Sequence, residues 1–193
     1  MKSVCVFCGS RSGADPAYER AAQTLGETLA QAGIELVYGG GHVGLMGMVA
    51  NAALAAGGDV TGVMPKALVD REIAHTGLTR LHVVGSMHER KAMMSELSEG
   101  FVALPGGTGT LEEFFEVLTW AQLGEHGKPC GLLNVAGYYD PLLAVFDRMV
   151  DRGFLTTKHR AMALVETEPE ALLEQFERYD PPKTAKWIDE SET

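Results

Sequence analysis

One stretch of this sequence combines glycines, hydroxyls and carboxylates at a spacing that suits phosphate binding. It reads Pro105-Gly106-Gly107-Thr108-Gly109-Thr110-Leu111-Glu112-Glu113. The apolar run before it is typical of a strand, and apolar residues recur after it at helical spacing. Glycines let a backbone approach a ligand closely, and the free N–H groups of a first helical turn attract an anion. The stretch therefore predicts a strand, a phosphate-binding loop and a helix.

Glu113 is the unusual member of this stretch, because a carboxylate beside an anion site needs another partner. A ribose hydroxyl or a water molecule would provide one. A simpler interpretation is a capping box, in which Thr110 and Glu113 only close the start of the helix. The three glycines before it argue against a plain cap. Glu112 is the alternative carboxylate, but on a helix it points about 100° away from Glu113.

A second candidate group consists of Arg90 and Lys91, on a helix predicted over residues 87–97 and capped by Ser86. Arg90 lies in line with apolar residues of this helix, so its charge needs a partner. A structural ion pair or an extension to solvent is the ordinary explanation. Thr119 follows Glu113 by six residues. It could face the same side of its helix, or bond its own backbone.

Three stretches of the chain together resemble the LOG family, the cytokinin riboside 5'-monophosphate phosphoribohydrolases. The first is the glycine-rich stretch given above. The second is Met87-His88-Glu89-Arg90-Lys91, and the third is Gly39-Gly40-Gly41-His42-Val43-Gly44-Leu45-Met46-Gly47. The resemblance covers roughly residues 2–180, and the motifs are specific in combination. The family usually shows Cys-Gly-Ser-Ser near residue 8, and Arg11 departs from that pattern. We favour an Arg11 side chain that points to solvent over one that contacts a ligand.

The resemblance implies hydrolysis of the N-glycosidic bond of adenine-type nucleoside 5'-monophosphates, AMP and cytokinin riboside 5'-monophosphates, to free base and ribose 5-phosphate. It implies that Arg90 and Glu113 are catalytic, that no cofactor or metal takes part, and that the protein is a homodimer with sites near the interface. The implied substrate-binding residues are Glu72, Arg90, Lys91, Gly107, Thr108, Gly109, Thr110, Leu111, Glu112, Glu113 and Thr119. Glu72 lies in a segment, residues 66–77, that would otherwise be taken as a solvated connection.

Two other functions are compatible with parts of the sequence. A non-catalytic nucleotide-binding sensor or carrier could use the same fold, because a fold does not fix a function. The presence of both Arg90 and Glu113 favours the enzyme. A pyridoxal-phosphate lysine decarboxylase is disfavoured, since no lysine stands out as a Schiff-base candidate.

The elements that position these residues alternate between strands and helices along the chain. The pattern predicts an α/β, Rossmann-like, doubly wound fold, with a mostly parallel sheet of about seven strands and helices on both faces. We expect loops at Gly9, Gly39 and Gly106 to converge at the carboxyl edge of the sheet, bordered by the Arg90 helix. Residues 1–180 would form one domain. Residues 181–193 would form a tail that Trp187 could anchor to the body or to a second subunit.

The glycines at Gly39, Gly41 and Gly44 formally match a dinucleotide-binding fingerprint. That fingerprint needs an acidic residue at the carboxyl end of the next strand. Asp59 has about the right spacing, but it precedes the predicted strand over residues 60–64 and would lie at the opposite edge of the sheet. A tight loop beside the phosphate-binding loop is therefore the better interpretation.

Composition limits the remaining possibilities for this chain of 193 residues. A net charge of −10 argues against nucleic acid and anionic membranes, and no apolar run reaches transmembrane length. The absence of a signal-peptide pattern predicts a cytoplasmic protein. Cys5 and Cys8 lie on a strand with their side chains on opposite faces, which favours buried thiols over a redox pair. No Cys/His cluster has metal-ligand spacing.

Overall fold

A computed structural model of the chain describes residues 1–71 and 73–182. Glu72 and the segment 183–193 lie outside the described residues, so the predictions for Glu72 and Trp187 concern positions that the structure does not describe. Within the described part, strands and helices alternate along the chain, as the sequence pattern predicts.

In residues 1–71 and 73–182, seven strands carry the fold. They are β1 (Ser3–Phe7), β2 (Glu35–Tyr38), β3 (Val60–Pro65), β4 (Arg80–Val84), β5 (Phe101–Ala103), β6 (Cys130–Leu133) and β7 (Ala163–Glu166). Eight α-helices in the described part of the chain connect and cover these strands. They are α1 (Pro16–Gln31), α2 (Gly44–Ala55), α3 (Lys66–Val69), α4 (Met87–Glu96), α5 (Thr108–Gln122), α6 (Asp140–Asp151), α7 (Thr157–Arg160) and α8 (Pro169–Glu177).

The strands form one sheet in the order β4-β3-β2-β1-β5-β6-β7, and every pairing is parallel. The chain runs outwards from β1 to β4, returns to pair β5 with β1, and then runs outwards to β7. The order therefore reverses between β1 and β5, and ligands of open α/β sheets bind beside such a reversal. The predicted Rossmann-like class and strand number are confirmed.

The two faces of the sheet hold separate apolar clusters, because side chains alternate along each strand. Val4 and Val6 of β1 join α1, α2 and α8 on one face. Cys5 and Phe7 join α4, α5 and α6 on the other face. Cys8 belongs to the first cluster, so Cys5 and Cys8 lie on opposite faces and both thiols are buried, as predicted.

Helix boundaries differ from the sequence predictions at a few places. The amphipathic pattern of residues 138–152 predicts a helix from Tyr138, but α6 begins at Asp140. A 3-10 turn over Val135–Gly137 comes first, and Gly137 adopts a φ of 71°. The segment after β3 contains the short helix α3 rather than only a solvated loop. The short helix α7 has too few residues for apolar periodicity to reveal it.

No helix in the described part of the chain is long and apolar enough to cross a membrane. Among residues 1–71 and 73–182, no three histidine, cysteine, aspartate or glutamate side chains are grouped closely enough to hold a metal ion.

Candidate active site

The loops that follow β1 and β5 meet at the point where the strand order reverses. The backbone N–H of Gly9 donates to the carbonyl of Pro105 at 3.1 Å, and the N–H of Leu45 donates to the carbonyl of Gly9 at 3.1 Å. A side chain on Gly106 would collide with Thr110 and would lie 2.9 Å from the nitrogen of Gly9. The predicted convergence of the loops at Gly9, Gly39 and Gly106 is therefore confirmed, since Leu45 lies in the glycine-rich run that begins at Gly39. A glycine is required at residue 106 because the backbones after β1 and β5 approach each other closely there.

Helix α5 begins directly after this contact. Gly107 is its N-cap, no side chain caps it, and Gly107, Thr108 and Gly109 are exposed. Their N–H groups are therefore open to an anion from outside. Thr110 lies in the first turn, is 4% exposed and packs against Gly106. The capping-box interpretation is wrong, because the helix begins before Thr110.

Arg90 and Glu113 form an ion pair between α4 and α5. Arg90 Nη1 lies 3.4 Å from Glu113 Oε1, and the two side chains are only 11% and 13% exposed. Arg90 Nε also donates to the carbonyl of Val63 at 3.1 Å, which fixes the guanidinium at the carboxyl end of β3. Arg90 therefore does not extend to solvent. Its charge is balanced by the carboxylate that the sequence analysis marks as catalytic.

The environment of Glu113 raises the pKa of its carboxyl group. Burial is the largest cause, because it disfavours the charged form. The charge of Arg90 opposes burial and lowers this pKa, while Glu112 raises it. Glu113 also raises the pKa of the buried Cys5 and Cys8 thiols, as a secondary cause after burial itself.

Lys91 lies beside this pair and is held by the other two carboxylates of α5. Its Nζ donates to Glu112 at 2.5 Å and to Glu116 at 3.0 Å. The hydrogen bond to Glu112 is the largest of the causes that raise the pKa of Lys91. Glu116 is therefore a partner of Lys91 and not only part of a solvated face. Glu112 and Glu113 have different partners, as their divergence on the helix predicts.

Two of the residues implied to bind substrate, Thr119 and Leu111, do not face the Arg90–Glu113 pair within one chain. Thr119 is exposed on α5, whereas Glu113 is largely buried. Six residues of α-helix turn a side chain by about 600°, which leaves Thr119 about 120° from Glu113 around the axis. The side chain of Leu111 packs against the apolar cluster under α5.

A cavity of about 430 Å³ borders the phosphate-binding loop, and the residues that line it do not include Arg90 or Glu113. Gly106 and Gly107 form one wall, and the segment from Gly9 to Gly13, including Arg11, forms another. Tyr18 and Tyr138 complete it, with their rings edge-to-face at a centroid distance of 5.6 Å. Tyr138 donates its hydroxyl to the carbonyl of Gly106 at 2.5 Å and so anchors the loop.

The sequence analysis missed both tyrosines. Tyr138 comes after the carboxyl end of β6, at the same edge of the sheet as the phosphate-binding loop. This position could have marked Tyr138 as a candidate site residue from the sequence alone. Arg11 is exposed, as expected of a side chain that points to solvent. It is also one of the residues that line the cavity.

Comparisons with known proteins show the family of the chain. A family model described as "possible lysine decarboxylase" matches residues 46–176. A cytokinin riboside 5'-monophosphate phosphoribohydrolase of Arabidopsis thaliana is 50% identical over 181 residues, which make up 94% of this chain and 83% of that protein. The cytokinin riboside 5'-monophosphate phosphoribohydrolase of Rhodococcoides fascians is 53% identical over 165 residues, 85% of this chain and 83% of that protein.

Among solved structures, the molybdenum cofactor binding protein of Rippkaea orientalis superimposes with a TM-score of 0.70 and 22% sequence identity. The match covers 92% of this chain and 97% of that chain. At this identity the likeness shows a shared fold only.

Proposed function

Because this chain belongs to the LOG family, we propose that it hydrolyses the N-glycosidic bond of cytokinin riboside 5'-monophosphates, and of AMP, to free base and ribose 5-phosphate. The observation that carries this proposal is the ion pair of Arg90 and Glu113 beside the exposed amides at the start of α5.

The proposed placement of the substrate follows from two features of α5. A phosphate on the amides of residues 107–110 accepts hydrogen bonds and meets the positive end of the helix dipole. Glu113 lies about one turn further along α5, at the height where the ribose of such a nucleotide would lie. Glu113 is thus positioned for the sugar, and it keeps its charge away from the phosphate.

The chemistry requires a group that stabilises positive charge on the sugar. As the bond between the anomeric carbon and the base breaks, its electron pair leaves with the base and the sugar becomes oxocarbenium-like. The Glu113 carboxylate stabilises that charge and orients a ribose hydroxyl or the attacking water, whose oxygen then bonds to the anomeric carbon. The water loses one proton as this bond forms, and the departing base gains one, so the products are neutral base and ribose 5-phosphate. Arg90 favours the ionised form of Glu113 and binds substrate. A guanidinium is a poor proton donor, so Arg90 is not assigned as the general acid.

Lys91 argues against the decarboxylase chemistry that the family description suggests. A lysine that forms a Schiff base needs a lowered pKa, so that its amine is free to attack a carbonyl group. Hydrogen bonds from Lys91 to Glu112 and Glu116 raise its pKa instead. We assign Lys91 to holding α4 against α5 at the edge of the site.

The proposed assembly is a homodimer. Val83 on β4, Met87 on α4 and Leu123, which directly follows α5, are 53%, 46% and 53% exposed. Helices α4 and α5 also carry the Arg90–Glu113 pair. Thr119 is exposed on α5 as well. A second copy packed here would cover these side chains and would give Thr119 a contact. Light scattering after gel filtration tests this proposal, and a monomer at micromolar concentration would contradict it.

Product analysis tests the proposed activity directly. Purified protein is incubated with AMP, GMP, CMP and isopentenyladenosine monophosphate, and free bases are separated by chromatography, with the Glu113→Gln variant as the blank. We expect free base from the adenine nucleotides, and none with the variant. Nucleotide binding without release of any base would instead support a carrier or sensor.

A further inference from the structure

The two cations that the sequence marks for nucleotide binding are both neutralised within the protein. Arg90 pairs with Glu113, and Lys91 pairs with Glu112 and Glu116. Three carboxylates thus face two cations, in a chain of net charge −10. The phosphate group of a nucleotide is itself a dianion near neutral pH. A binding site for it therefore needs positive charge from another part of the molecule.

Arg11 supplies such a charge beside the phosphate-binding loop, in a cavity that Arg90 and Lys91 do not line. It is the cationic residue among the described residues that line the cavity of about 430 Å³, and it shares that cavity with Gly106 and Gly107. Within residues 1–71 and 73–182, no carboxylate forms a salt bridge with Arg11. Its guanidinium is exposed and its donors are open to a ligand.

The backbone that carries Arg11 is held firmly although the side chain is exposed. Gly44 has a φ of 56°, and any side chain on it would collide with the carbonyl of Ser10 and the nitrogen of Arg11. The N–H of Leu45 donates to the carbonyl of Gly9 at 3.1 Å. The loop after β1 is thus packed on the start of α2, which fixes the position from which Arg11 extends.

From these observations we infer that Arg11 binds the 5'-phosphate of the substrate from the side opposite to Glu113, and so distinguishes nucleotides from nucleosides. This inference rests on the proposed function and names the residue that recognises the phosphate. The guanidinium is a planar fork of donors that matches phosphate oxygens in bidentate geometry. The amides at the start of α5 bind the phosphate from one side, and Arg11 closes the cavity over it from the other.

A role limited to the phosphate has a kinetic signature. The phosphate is not changed in the reaction, so Arg11 would bind ground state and transition state about equally. Loss of such an interaction raises KM and leaves kcat nearly unchanged. A structural role for Arg11 would instead lower stability, or reduce kcat for nucleotide and nucleoside alike.

The experiment compares Arg11→Ser and Arg11→Lys with Arg20→Ser. Serine is the residue that the family usually carries near this position, so the first variant is expected to fold. Arg20 is exposed on α1, is not among the residues that line the cavity, and its replacement removes the same charge. Kinetics are measured with isopentenyladenosine monophosphate and with the matching nucleoside. Binding of ribose 5-phosphate is measured by calorimetry.

We expect Arg11→Ser to raise KM for the nucleotide about 10- to 100-fold, and to weaken ribose 5-phosphate binding by a similar factor. Arg11→Lys should keep part of the affinity, while Arg20→Ser and the activity on nucleoside should change less than about 2-fold. Unchanged ribose 5-phosphate binding in Arg11→Ser would overturn the inference. If the wild type bound ribose 5-phosphate through Arg11 but released no base from any nucleotide, the proposed reaction would fail while the assignment of Arg11 stood.

Discussion

The guanidinium of Arg90 occupies the space that a side chain on Gly39 would need. An added Cβ at Gly39 would collide with Arg90 Nη2 and would lie 3.1 Å from Cζ. The glycine at the end of β2 therefore allows Arg90 to reach both the carbonyl of Val63 and the carboxylate of Glu113. This relationship explains the first glycine of the run at residues 39–41 through the packing of Arg90, without a bound dinucleotide.

Replacing Gly39 by alanine is expected to displace Arg90 and to lower kcat/KM about 100-fold, because misplacement of a reacting group by about 1 Å can cost this much. The fold should persist, since the displaced atoms are the far end of a side chain. Steady-state kinetics and circular dichroism measure the two effects. Gly77→Ala is the matched control, because the nearest atom to its added Cβ is a side-chain atom of His75 at 3.3 Å. Equal activity of both variants would contradict the assigned role of Arg90.

Glu112 and Glu113 are adjacent but should differ sharply in catalysis. Glu113→Gln removes the carboxylate next to Arg90 and should lower kcat about 10²- to 10⁴-fold. Glu112→Gln removes only one of the two partners of Lys91 and should lower kcat less than about 10-fold. Single-turnover rates with excess protein measure both effects. A larger loss for Glu112→Gln would reverse the assignment of the catalytic carboxylate.

The acidic limb of the pH–activity profile should report Glu113. Its carboxylate is the proposed active form, so kcat/KM should fall as the pH drops through its pKa. Because burial raises this pKa, the loss should begin at a higher pH than the ordinary value of about 4.3 for glutamate would give.

Arg90→Gln removes the charge that lowers the pKa of Glu113, so this pKa should rise further. The chemical shift of the ¹³C-labelled Glu113 carboxyl group, followed by NMR during a pH titration, measures this rise without relying on activity. A pKa that stays the same or falls in Arg90→Gln would contradict the pairing.

Lys91 should stabilise the packing of α4 on α5. Its side chain is 12% exposed, and Lys91→Met leaves Glu112 and Glu116 facing each other without a cation. We expect the free energy of unfolding to fall by about 1–2 kcal/mol, less than for a fully buried pair, because Glu112 is 58% exposed. Lys66→Met is the control. Its pair with Asp70 is 73% and 56% exposed and should contribute less than about 1 kcal/mol in urea denaturation.

Two neighbouring glycines of the phosphate-binding loop should respond differently to alanine. An added Cβ on Gly106 collides with Thr110 and the backbone of Gly9, so Gly106→Ala should lower the thermal midpoint by several degrees, about 1–3 kcal/mol. An added Cβ on Gly107 meets nothing within 4 Å. Gly107→Ala should leave the thermal midpoint of unfolding unchanged and should only weaken the binding of ribose 5-phosphate. A stable Gly106→Ala protein would show that the loops after β1 and β5 can separate.

Much of the fold could be predicted from the chain alone, because local patterns determine it. Short apolar runs that alternate with amphipathic segments specify parallel strands covered on both faces. The opposite placement of Cys5 and Cys8 follows from the alternation of side chains along a strand. The start of α4 at Ser86 is local as well, since the Ser86 hydroxyl accepts from the N–H of Glu89. The prediction failed where a turn intervened, as at Gly137, and where a helix was too short to show a period, as in α7.

The sequence by itself determined which residues could do chemistry and on which elements they lie: Arg90 and Lys91 on one helix, and Glu112 and Glu113 at the start of another. Only the tertiary structure decided their partners, because α4 and α5 meet through contacts far apart in the chain. It paired Arg90 with Glu113 and assigned Lys91 to Glu112 and Glu116. It also placed Arg11 and Tyr138 around one cavity. Ion pairing and burial depend on distances through space, and no pattern within a single helix or loop contains them.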